Sequence, residues 1–182
     1  MIWLASFLTL IVAHATLATP EAMLGVVPWP EPHAWSPPCT NKQQGLTCRF
    51  GVSKQEINPS GLFQVTVEIV NQSDKPIHLI AEGGHTNMLQ CVFYADAKNV
   101  GHAPIIGGPL IGPRTIVLAG GATVRANVNG FCFVKSSGRR QVCVGFFAAS
   151  EGTPLSNAHE LRTGPLDITF TKEEDAQPKI GR

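Results

Sequence analysis

Residues 63–69 read FQVTVEI, with Phe63, Val65, Val67 and Ile69 apolar and Gln64, Thr66 and Glu68 polar between them. A period of two places alternate side chains on opposite faces of an extended chain, which is the pattern of a strand with one buried and one wet side. The same period runs upstream, where Leu46, Cys48, Phe50 and Val52 alternate with Thr47, Arg49 and Gly51. Further strands are expected at 77–81, 88–94, 115–118, 122–128, 130–135, 140–148 and 165–171, with a helical turn at most near 156–161. Short strands punctuated by Gly, Pro, Asn and Asp favour a sandwich or barrel. The 18 glycines and 14 prolines of the 182-residue chain agree with that class.

The first twenty residues, MIWLASFLTLIVAHATLATP, contain no charged side chain, and the apolar run ends in the small-residue pattern Ala13-His14-Ala15. Residues 1–18 are therefore expected to be a secretory signal peptide cleaved after Ala15 or Ala18, with retention as an anchor the alternative. Residues 19–38 are Pro-rich and read as an extended lead-in whose Trp29 and Trp35 dock on the domain. A single domain follows over residues 39–171, and the polar tail 172–182 is expected to be disordered. Fourteen basic residues balance thirteen acidic ones, so neither nucleic acid nor an anionic membrane surface is expected as a partner. No integral membrane span is expected once the signal is removed, and the expected location is secreted or periplasmic.

Cys39, Cys48, Cys91, Cys132 and Cys143 all lie beyond the signal, where an oxidising compartment lets disulfides persist. In "FCFVKSSGRRQVCV", residues 131–144, Cys132 and Cys143 are symmetric about Ser137-Gly138. A hairpin turning there would set the two thiols opposite each other, within disulfide reach. Cys39 and Cys48 would close a second short loop, leaving Cys91 over.

Three stretches carry a resemblance: "FQVTVEIVNQSDKPIHL", "IVLAGGATVRANV" and "VCVGFFA…TGPLDITF". In that order they resemble bacterial extracytoplasmic Ig-like domains, with a faint similarity to the intracellular-proteinase-inhibitor family of sandwiches. The resemblance implies an all-β fold, an Ig-like antiparallel β-sandwich of about 7–9 strands.

No nucleophile elbow and no Cys-His pair of a known kind occurs in the chain. The expected function is noncatalytic and cofactor-free: recognition of a protein or a surface polymer through end loops, with an enzyme of unknown class as a residual reading. The loop GHAPIIGGPLIGPR, residues 101–114, is the candidate contact, offering His102, Ile105, Ile106, Leu110, Ile111 and Arg114. The alternative is a small-molecule or metal carrier, in which His85, Met88 and Cys91 supply the imidazole, thioether and thiolate that suit copper. Asn71-Gln72-Ser73 is also a glycosylation sequon, and otherwise a turn.

Overall fold

The computed structural model describes residues 21–24, 31–58, 62–83, 88–103, 111–132, 134 and 136–171. Its strands are β1 (Glu21–Leu24), β2 (Ala34–Trp35), β3 (Cys39–Asn41), β4 (Leu46–Val52), β5 (Glu56–Ile57), β6 (Leu62–Asn71), β7 (Ile77–Gly83) and β8 (Met88–Leu89). They continue as β9 (Cys91–Ala95), β10 (Lys98–Ala103), β11 (Ile111–Leu118), β12 (Thr123–Cys132), β13 (Gly138–Ser150), β14 (His159–Arg162) and β15 (Leu166–Phe170). A short 3₁₀ turn, Leu155–Asn157, is the one helical element among the described residues.

The fold is an all-β sandwich. One hydrogen-bonded path runs β11-β7-β13-β9-β10-β12-β6-β4-β2, antiparallel throughout. It doubles over where β10 leaves β9 and pairs with β12 through only two positions, Gly101 opposite Cys132 and His102 opposite Phe131. Parallel pairing is confined to β1 on β12 and β5 on β15. The core lies between the layers. Leu46, Phe50 and Val52 from β4 and Val65, Val67 and Ile69 from β6 meet Leu79, Phe93, Val144 and Phe146, all at most 1% exposed. The alternation in residues 46–52 and 65–69 thus gives the buried face directly, and full burial of each such side chain contributes about 1.5–3 kcal/mol.

β13 organises the second layer. Its first part pairs β15, its middle β9, and its last residues β14 and β7. This corrects the expected 132/143 hairpin. Cys132 faces Gly101 on β10, while Cys143 faces Tyr94 on β9, so two strands separate the two cysteine-bearing ones. The two strands are therefore not hairpin partners, and Cys143 is a free thiol. The hairpin that displaces it is β9–β10, turning at Asp96 and Ala97, both at positive φ (47° and 63°). Its turn is fastened to β13: the Asp96 carboxylate accepts from Arg140 Nη1 at 3.0 Å and from the Gln141 amide at 3.2 Å.

Three further expectations change. Residues 122–128 and 130–135, taken as two strands, form the single strand β12 as far as Cys132. Residues 101–103 and 111–114, assigned to a loop, belong to β10 and β11. Pro113 is tolerated because β11 pairs only β7 and its register shifts between Ile111 and Arg114, an edge position where a missing N–H costs no ladder bond. The lead-in is itself partly strand, since Trp35 pairs Gly51 and lies flat on it. A Cβ on Gly51 would come within 2.8 Å of Trp35 Cδ2 and 2.5 Å of Pro32 Cβ, so only glycine permits this docking.

Candidate functional site

Asn71 ends β6 and is completely buried. A buried amide must satisfy its donors and acceptor within the protein. Its Nδ2 donates to the carbonyls of Lys75 (2.8 Å), Leu118 (3.0 Å) and Ala119 (3.1 Å). Its Oδ1 accepts from the Ser73 amide (3.1 Å) and hydroxyl (2.7 Å). The backbone completes the joint, since the Asn71 amide donates to Ala122 O and its carbonyl accepts from Gly121, both at 2.9 Å. One side chain therefore ties the β6–β7 turn to the β11–β12 turn. The sequon is structural in the folded chain, because the nitrogen that would carry a glycan is buried and engaged by three carbonyls.

Close approach makes the joint rigid. A Cβ on Gly120 would sit 2.7 Å from the Asp74 carbonyl, so the two turns touch backbone to backbone. The β3–β4 loop joins them through the Gln72 amide, which donates to Gly45 O at 2.7 Å, and Gly45 takes the left-handed φ of 62° that a tight turn requires.

The β3–β4 loop, the β6–β7 turn and the end of β13 line a cleft of about 680 Å³ at one end of the sandwich. Its lining includes the exposed Lys42 and Lys75, together with Gln43, Gln44, Ser73, Ser150 and Glu151. The Gln44 Oε1 atom is buried there without a hydrogen-bond partner. The arrangement offers two cations, one carboxylate and several neutral hydrogen-bonding groups, with no aromatic platform among its lining residues.

The sequence-derived candidates fall elsewhere. His102 lies on β10 and is exposed, whereas Ile105, Ile106 and Leu110 lie outside the described residues. Ile111 and Arg114 are placed on β11 by their backbone, opposite Gly83 and Ala81. Of the copper set, His85 is outside the described residues and Met88 lies on β8 opposite Glu82. Cys91 is completely buried between β13 and β10, and desolvation pushes its thiol far above the ordinary range. Among the described residues no group of three His, Cys, Asp or Glu side chains could hold a metal.

Two other polar clusters were not legible beforehand. On the outer face of the first layer, Arg49, Glu68 and Arg125 stand in one row across β4, β6 and β12. Glu68 bonds Arg49 Nε at 2.7 Å and Arg125 Nε at 2.8 Å, and the Arg49 guanidinium lies 4.4 Å from the Trp35 ring centroid. Burial works to raise the Glu68 pKa, but the two arginines outweigh it and hold the carboxyl below its usual range. On the second layer, Arg162 covers the Tyr94 ring at 3.7 Å and pairs with Glu160 at 3.0 Å. Gly145 makes room for them, since a Cβ there would overlap Glu160 Oε1.

Cys39 and Cys48 are thiols facing each other across β3 and β4. Cys48 is buried with Sγ 3.6 Å from Cys39 O and 3.5 Å from Arg162 O; Cys39 is exposed. Comparison with protein-family models and with curated proteins finds no match to this chain.

Proposed function

We propose that this chain is a noncatalytic, exported Ig-like binding domain that holds an acidic surface polysaccharide in the cleft between its end loops. The observation that supports this most is the cleft itself, lined by Lys42 and Lys75 on loops held together by the Gln72–Gly45 hydrogen bond and the Ile77–Ser150 pairing, with Asn71 fixing the β6–β7 turn. A rigid sheet scaffold presenting loops at one end is a common way to build a recognition surface. Two lysines match the spaced carboxylates of an acidic polymer, and the glutamines and serines match its hydroxyls.

The test is retention on immobilised polygalacturonate against neutral dextran across a salt series. The double variant Lys42→Ala/Lys75→Ala should lose roughly tenfold in affinity, two exposed charge pairs each contributing up to about 1 kcal/mol. Wild-type retention equal on the two polymers, or undiminished in the double variant, would sink the reading.

A further inference from the structure

The β3–β4 hairpin carries Lys42, Gln43 and Gln44 into the cleft, and its base is the Cys39/Cys48 pair. β3 is an edge strand of three residues held only by β4, through the pairs Cys39/Cys48, Thr40/Thr47 and Asn41/Leu46. Its side-chain support is slight: Thr40 and Thr47 share a hydrogen bond of 2.9 Å, and Asn41 Oδ1 accepts from the Gln44 amide at 3.1 Å. A covalent bond at the base would act on the whole hairpin. Facing residues of an antiparallel pair have Cα atoms about 4.5–5.5 Å apart, inside the range a disulfide spans.

We propose that Cys39 and Cys48 are a thiol–disulfide exchange site, whose substrate is a disulfide-bearing small molecule or protein and whose bridge orders the cleft-forming loop of residues 42–45. The regulatory meaning rests on the binding role assigned to that cleft; the exchange chemistry does not.

The two thiols divide the work by exposure. Cys39 is open to solvent, so it meets the donor. Burial, together with the neighbouring Cys39, pushes the Cys48 thiol up to about 12, so Cys48 is the weaker nucleophile of the pair and acts second. In the forward direction the Cys39 thiolate attacks one sulfur of a disulfide RSSR. The donor's S–S bond breaks, one RS⁻ leaves and takes a proton from solvent, and a Cys39–S–S–R mixed disulfide remains. Cys48 then attacks Cys39 Sγ as its proton passes to the departing sulfur, which leaves as the second RSH. Two cysteine thiols are oxidised and one RSSR is reduced to two RSH. A dithiol donor runs the same steps backwards.

Of the other described thiols, Cys91 is sealed in the core, while the half-buried Cys143, facing Tyr94 beneath the Arg162–Glu160 pair, lies near enough to Cys39 to interact with it electrostatically and is the competing partner in the linkage map.

The experiment equilibrates the full chain with glutathione redox buffers, maps the cysteine linkages, and reads amide exchange over residues 42–45 in each state. The expected result is a Cys39–Cys48 link under oxidising buffer and exchange in 42–45 slowed about tenfold relative to the reduced protein, with β9 and β13 unchanged. Cys39→Ser, an exposed substitution that leaves the core intact, should exchange like the reduced protein in both buffers. Cys39 linked elsewhere or left unlinked would overturn the proposal, as would a Cys39–Cys48 link without any change in exchange. Because the readout needs no ligand, a failure of polysaccharide binding leaves this result standing, and a failure here leaves the cleft's affinity to be judged by its own test.

Discussion

Asn71 and Glu68 lie three residues apart on β6, both withdrawn from solvent, and they hold the fold in opposite ways. Asn71 is neutral and bonds backbone groups of two turns, so its hold depends on geometry and not on pH. Glu68 is charged, binds two arginine side chains on the neighbouring strands, and depends on staying ionised. The neutral joint fixes where the loops sit, while the charged row welds strands already paired by their ladders. The first is therefore the costlier to lose.

Asn71→Ala should have the largest effect. It strips partners from the Lys75, Leu118 and Ala119 carbonyls and from Ser73, so thermal or urea unfolding should show a loss of roughly 3 kcal/mol or more. A loss below about 1 kcal/mol would mean that water replaces the side chain without cost. Gly120→Ala comes next, at roughly 1–3 kcal/mol, because its Cβ meets backbone that cannot turn aside. Its damage should be local to the two turns, visible as lost amide protection there.

Glu68→Gln should cost roughly 1–2 kcal/mol, leaving Arg49 and Arg125 side by side without their shared anion. This site also gives the pH dependence its sign. The folded carboxyl has a pKa below the unfolded value, so its contribution is complete above the unfolded pKa of about 4.3 and is lost as pH falls through the lower, folded one. Stability measured from pH 6 down to pH 2 should fall less steeply in Glu68→Gln than in the wild type. Parallel slopes would remove Glu68 from the account. The smallest effect belongs to Lys42→Ala and Lys75→Ala, exposed cleft residues whose loss should change stability by no more than about 0.5 kcal/mol.

The same contrast separates what the sequence made legible from what it hid. A period of two states which face of a strand is turned to the core, and the apolar positions of 46–52 and 65–69 all lie there; that Gly51, Thr66 and Glu68 on the other face are covered as well is beyond the pattern. It does not state which strand lies beside which. The symmetric spacing of Cys132 and Cys143 suggested adjacency, yet an Asp96 turn locked onto Arg140 and Gln141 put β9 next to β13 instead. Pro113 looked like a strand breaker because edge position and bulge are properties of the sheet and not of the residue. The cleft was hidden for a related reason: its loops, at 42–45, 73–77 and 150–152, are far apart in the chain and are brought together by the Gln72–Gly45 hydrogen bond and by the pairing of Ile77 with Ser150. The one local sign was an asparagine ending an apolar strand ahead of a Ser-Asp turn.

Wild-type amide exchange at Gln72, Gly121 and Ala122 tests the central claim most directly. The Gln72 and Gly121 N–H groups donate across the joint to the Gly45 and Asn71 carbonyls at 2.7 and 2.9 Å, and Ala122 closes the adjoining β11–β12 turn on the Ala119 carbonyl at 3.1 Å. If Asn71 makes this end of the sandwich a rigid recognition surface, all three should be protected about a hundredfold or more over unstructured peptide and should open together. Exchange at the rate of free loops would contradict the account.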